Sequence, residues 1–279
     1  MKTLLRNVFV LVGSLAFVCL SHAQSKDAVG LADRLYERCG LAAQLGSFPA
    51  QFEQGVSQNR GKMPDELLAA IAQAGKTSFD PEKLRKDIVR SLAQKMPAAD
   101  MKQVLAWLDG PVGRRITLAE ERASGTMTPE NMNVFFERQK KEPPGEKRVQ
   151  LIDALIKAVK AVDVNANLIE AMALGIAVGA DTMQPVQKRI GVSGLLVRLR
   201  EAMPPEKLRA SMAAALPGMM SYTYRNVSDA DLAAYVALNR SALGVRYNGA
   251  VSAALAEALS RAGVRIGELL DPDSRKKSI

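Results

Sequence analysis

MPAADMKQVLAWLDGPVGRRI, residues 96–116, decides how this chain is built, because a diverged second version of it, VSDADLAAYVALNRSALGVRY, occupies residues 227–247. At an offset of 131 positions, Ala99, Asp100, Ala106, Gly113 and Arg115 meet Ala230, Asp231, Ala237, Gly244 and Arg246. Two more anchors lie upstream in the same order. PEKLR is spelled at Pro81–Arg85 and again at Pro205–Arg209, an offset of 124. Further back, Leu31-Ala32-Asp33-Arg34-Leu35 has its counterpart in Leu151-Ile152-Asp153-Ala154-Leu155 at an offset of 120, and Gly55 and Gly175 follow at the same offset. Three anchors in one order, separated by small insertions, predict an internal duplication.

The local code in each half is helical. Asp80-Pro81-Glu82 puts a carboxylate where it caps a first turn and a proline at the first helical position, where its missing N–H costs nothing. Thr128-Pro129-Glu130 repeats the device, and Ser228-Asp229-Ala230-Asp231 is a capping box with Asp for the usual Glu. Apolar residues then recur at three and four: Leu84, Ile88, Leu92 and Met96, followed by Met101, Val104, Leu105 and Leu108. No comparable run alternates with strand period. The fold class read from this is all-α, two diverged copies of a short-helix bundle. In LAWLDGPVGRRI, Gly110-Pro111 interrupts one helix and starts the next, while Gly113 leaves the new first turn bare so that two helices can cross closely. The second hairpin keeps a capping Ser241 and Gly244, with Ala242 in place of the proline.

Between the copies, RQKKEPPGEKR (138–148) carries a double proline and a glycine that cannot continue a helix. The expected division is a first helical copy over 24–142, a linker over 143–148 and a second copy over 149–270. A basic tail, 271–279, ends the chain. Residues 1–23 read as a signal peptide: Lys2 and Arg6 form a positive n-region, Val8 to Leu20 is an apolar run short for a membrane span, and Ser21-His22-Ala23 fits a cleavage site. Export to the periplasm and a mature chain without a transmembrane span are the expectation.

Cleavage after Ala23 removes His22, the single histidine, and Cys19, one of two cysteines. Histidine-based triads, general bases and metal sites then drop out by inventory. Cys39 cannot close an intramolecular disulfide alone, and its apolar-periodic setting reads as a small buried hydrophobe. Loss of Lys2 and Arg6 lowers the formal charge from +9 by two, which suits an anionic envelope surface. The remaining basic residues are interleaved with acids, and no basic segment carries stacking aromatics, so nucleic acid is not expected as a partner.

The hairpin pattern resembles the bacterial exported helical family known as domain of unknown function 2059, whose hallmark is an acidic-leucine helix start, an aromatic pair, Ser-Pro, one residue and Gly. Ala99-Asp100-Met101, Trp107-Leu108, Gly110-Pro111 and Gly113 are similar to it in the first half, and Ala230-Asp231-Leu232, Ser241 and Gly244 in the second. Gly110 for the serine and the lack of the aromatic pair in the first half, and Leu238-Asn239 and Ala242 in the second, depart from it. The resemblance implies a helical exported domain and transfers no catalytic residues.

No catalytic, cofactor-binding or metal-ligating constellation emerges. Glu120 and Glu121 are adjacent, so on a helix they point about 100 degrees apart and cannot face each other across a substrate. Asp100, Gly113 and Arg115, with Asp231, Gly244 and Arg246, are the residues singled out for an interaction or for holding the hairpins. Each arginine is expected to bond carbonyls or a carboxylate on the preceding helix. Tyr222, Tyr224, Tyr235 and Tyr247 read as core residues or as the lining of a ligand groove. The function expected is non-catalytic: an adaptor binding an envelope protein or an anionic envelope component. The alternatives are a histidine-independent enzyme cleaving cell-wall glycan, which requires one glutamate in an apolar cleft, and a carrier of apolar small molecules or lipid.

Overall fold

A computed structural model describes residues 26–46, 48–57, 60–61, 64–182 and 184–270. The expected signal peptide and basic tail lie outside these residues. Among the described residues the chain is all-α, with fourteen helices, one 3-10 turn at Val186–Lys188 and no strand. In chain order they are α1 (Lys26–Arg38), α2 (Leu41–Gly46), α3 (Phe48–Ser57), α4 (Asp65–Ser78), α5 (Pro81–Lys95), α6 (Ala98–Asp109) and α7 (Pro111–Thr126). The rest are α8 (Pro129–Lys141), α9 (Glu146–Ala158), α10 (Ala161–Thr182), α11 (Gly191–Ala202), α12 (Pro205–Thr223), α13 (Asp229–Arg240) and α14 (Ala242–Leu269).

The helices start where the capping chemistry puts them. Asp80 accepts from the Lys83 amide at 2.9 Å, Thr128 from Asn131 at 3.2 Å, Ser228 from Asp231 at 3.1 Å and Ser241 from Gly244 at 3.0 Å. Pro81, Pro111, Pro129 and Pro205 each occupy a first helical position. Helix starts in the two halves also fall in register. The α1 and α9 bounds differ by 120 positions at both ends, α5 and α12 begin 124 apart, and α6–α7 and α13–α14 begin 131 apart. Even the turn after α1 is matched: Gly40 has φ +75° and Lys160, 120 positions on, has φ +50°. A left-handed backbone suits glycine and costs a lysine of order 1 kcal/mol.

Two cores form, and each draws on both sides of the Pro143-Pro144 break. The larger packs Leu35, Leu84, Ile88, Leu92, Met101 and Val104 of α1, α5 and α6 against Ala254, Ala258, Ala262 and Ile266 of α14. The smaller packs Ile116 of α7 against Ile152 and Leu155 of α9 and Leu232 and Val236 of α13. The last helix of each hairpin is therefore seated in the opposite half. Burial of each such Leu, Ile, Val or Met side chain contributes about 1.5–3 kcal/mol, and the linker marks a break in the chain, not a break in the core.

The most extensive helix–helix packing joins α10 to α14. Gly175 and Gly179 face Gly263 and Gly267, and a Cβ at any of the four would lie under 3.0 Å from backbone atoms of the opposite helix. Helix α10 is apolar enough and long enough to cross a membrane by length and composition alone. It is seated by glycine contact along one side, while Leu168, Met172 and Ile176 are partly buried against the larger core.

These contacts leave no room for a methyl group. Gly179→Ala and Gly267→Ala are each expected to destabilise the protein by about 1–3 kcal/mol, the usual range for overpacking. Gly30→Ala, within α1 where nothing lies within 4 Å, shifts the urea midpoint in the stabilising direction.

Candidate functional site

The singled-out hairpin residues meet at the junction of the two halves. Gly113 and Gly244 lie under 3.0 Å, measured from an added Cβ, from the backbone of Trp107–Leu108 and Leu238–Asn239. The close crossing is the reason for a glycine at each position. The arginines behave differently from the expectation, since neither bonds a carboxylate on its own preceding helix. Arg115 on α7 reaches Asp231 on α13, donating from Nε at 2.8 Å and from Nη2 at 2.7 Å. Arg246 on α14 reaches Asp100 on α6, from Nε at 2.6 Å and from Nη2 at 3.0 Å. The 131-position offset maps one pair onto the other with the halves exchanged, the pattern of an isologous contact. Both are two-pronged guanidinium–carboxylate forks. The arginine beside each aspartate holds its carboxyl below the usual range, against an opposing cost of burial.

Beside these pairs lies a polar cluster inside the junction. Tyr224 donates to Glu120 Oε1 at 2.7 Å and Tyr235 donates to the same oxygen at 3.2 Å. The Tyr235 ring stacks on Trp107 with centroids 5.6 Å apart. Asn248 donates to Asn239 at 2.8 Å, and Asn239 to the Tyr235 carbonyl at 2.8 Å. Burial pushes the Glu120 carboxyl up from the usual 4.5 to about 7, more than the two tyrosine hydrogen bonds lower it. The same burial, with Glu120 beside them, raises Tyr224 and Tyr235 well above their ordinary value. A carboxyl of this kind holds or releases a proton near neutrality. Its partners are tyrosines, and it forms no wall of the groove described next.

Cys39 is buried, and its thiol donates to the Tyr36 carbonyl at 3.6 Å. Burial pushes that thiol up to about 11, which keeps it protonated and a poor nucleophile. Of the four tyrosines, Tyr222 packs edge-on against Phe135 at 5.3 Å and donates to the Thr126 carbonyl at 2.8 Å. Tyr247 packs into the larger core. They are core residues and not the lining of a groove.

A groove does exist elsewhere, with a volume of about 380 Å³. Phe52, Val56, Leu68 and Ile71 of α3 and α4 form one side, and Ile176, Ile266 and Leu270 at the ends of α10 and α14 form the other. Its side chains are all apolar. Nothing in the sequence pattern announced it, because the two sides come from opposite halves. Glu120 was more legible: Ile116, Glu120 and Ala123 follow one helical stripe, and a carboxylate on such a stripe is a signal. Among the described residues there is no group of acidic, histidine or cysteine side chains arranged to hold a metal ion. No family model matches the chain, and no curated protein or solved structure shows significant similarity to it.

Two pH windows follow from the junction. Asp100 and Asp231 bind a proton less readily folded than unfolded, so their pairs stabilise the fold above about pH 4 and are lost as pH falls below it. Replacing both partners, Arg115→Gln with Arg246→Gln, is expected to move the acid-unfolding midpoint, read by circular dichroism, to higher pH. Glu120 has the opposite sign: the folded state keeps a proton that the unfolded state releases, so stability declines as pH rises from about 4.5 to about 7. Glu120→Gln removes that decline and is more stable than the parent at pH 8 by about 3 kcal/mol, each tenfold in proton affinity being worth about 1.4 kcal/mol.

Proposed function

We propose that this chain is an exported envelope protein, built from two diverged copies of one helical unit, that acts by binding another polypeptide and not by catalysis. The observation carrying the reading is the apolar groove between α3–α4 and α10–α14, with Phe52, Val56, Leu68, Ile71, Ile176, Ile266 and Leu270 around it. An open apolar groove between helices is the shape that accepts the apolar face of an incoming helix. A carrier of lipid or small apolar molecules calls for an enclosed cavity instead. The duplication is supported by the matched helix bounds and by the exchanged Asp–Arg pairs. Periplasmic location rests on the signal-like residues 1–23 and on the resemblance described above.

Cleavage of a wall glycan by a single carboxylic acid draws on the raised proton affinity of Glu120. Against it, a general acid must come within hydrogen-bond reach of the bond it protonates, and both Glu120 contacts at hand are tyrosine hydroxyls.

Native mass spectrometry of the protein isolated from its own cell envelope tests the binding reading. The expected species begins at Gln24 and carries a stoichiometric polypeptide that is lost from Val56→Asp and Ile71→Asp variants of unchanged helicity. A bare chain, or a partner retained by both variants, overturns it and directs attention to glycan cleavage.

A further inference from the structure

A second surface feature lies on the opposite side of α7 from Gly40 and is independent of the apolar groove. A cleft of about 220 Å³ opens between α7 and the α12–α13 turn, bounded by Arg115, Arg122, Arg225, Asn226 and the apolar Leu118 and Val227. Three arginines thus line a single small space. They are held differently. Arg115 is fixed by its fork to Asp231, which uses Nε and Nη2 and leaves Nη1 over. Arg225 lies over the Tyr222 ring with Cζ 3.9 Å from its centroid, and its Nη1 donates to the Tyr222 carbonyl at 2.6 Å. That ring is itself anchored to Thr126. The Arg122 guanidinium has no hydrogen-bond or ion-pair partner among the described residues.

The charges around the cleft do not cancel. Asp231 is spent on Arg115, and Asp229 is held by Arg148 at 3.0 Å. Glu121 is turned away, its Cγ lying 3.5 Å from where a Cβ on Gly40 would sit. Two arginines are left uncompensated beside a third. Neither arginine recurs in the other half: 131 positions from Arg122 the chain has Ala253, and 131 positions before Arg225 it has Gln94.

We infer that this cleft is an anion site for a phosphoryl group carried by a small ligand. Guanidinium planes match the oxygens of a phosphate in two-pronged fashion, and two uncompensated arginines beside a third that is already paired suit a dianion better than a monovalent carboxylate. The volume is below that of a drug-sized pocket, so the group fits with a short appendage resting on Leu118 and Val227. Both a lipid headgroup and a free phosphate ester present this chemistry.

Isothermal titration of the full chain with inorganic phosphate at low salt tests the assignment. The expected result is saturable binding at one site, weakened about tenfold or more by Arg122→Gln and by Arg225→Gln, and unchanged by Lys102→Gln, a charge-removing control outside the cleft lining. Because Arg122 is exposed and partnerless, its variant is expected to keep the parent thermal midpoint. Absence of saturable binding, equal binding in all variants, or equal loss in the Lys102→Gln control overturns the assignment. Sedimentation with phosphatidylcholine vesicles containing phosphatidic acid separates the two sources: vesicle binding that both arginine variants lose identifies a headgroup, and phosphate binding without vesicle binding identifies a soluble ester.

Discussion

Backbone approach between α10 and α14 is the constraint on which the rest of the structure depends. Four glycines remove the side chains that would hold the two helices at ordinary separation. Dispersion and exclusion of water act along a long seam in which each helix presents main-chain atoms to the other. Helix α14 is thereby fixed as a spine, and its remaining faces set the positions of α4, α5, α6 and α13. The ends of the same two helices supply Ile176 and Ile266 to the apolar groove. A shift at the seam is a shift in the groove.

The two hairpins depend on each other in a similarly reciprocal way. Gly113 and Gly244 close them, α7 and α14 leave them to join the opposite core, and the Asp–Arg forks tie each departing helix to the start of the hairpin it joins. Each arginine is about half exposed, so the forks serve more for register than for bulk stabilisation. The polar cluster around Glu120 sits where this exchange takes place and has no counterpart at Val251, 131 positions along.

Local features were legible in the sequence because their physics is local. Asp80, Thr128, Ser228 and Ser241 cap helices through amides three residues away, and glycine within a hairpin announces a close crossing. The partner of Arg115 was not legible, since a repeat offset identifies equivalent positions without saying which copy of an aspartate lies within reach. Glu120 has the stripe of a buried residue in its own helix, but its tyrosines are 104 and 115 positions away. The pairs Gly175/Gly179 and Gly263/Gly267 have the four-residue spacing of helix contact surfaces, a spacing that does not say which helix lies opposite. Groove and cleft escaped for one reason: each is assembled from segments distant along the chain.

Helix exchange between the halves also has a meaning for assembly. A half severed at Pro143-Pro144 leaves the second helix of its hairpin without the core that helix joins, and leaves its own core without the helix that the other half supplies. Two separate halves would have to meet to complete these cores, at a cost set by protein concentration. Joining two units in one polypeptide replaces that encounter with an intramolecular one, at an effective concentration in the millimolar range for a short linker. The short segment 142–145 between α8 and α9 therefore holds the two halves at that effective concentration however dilute the chain.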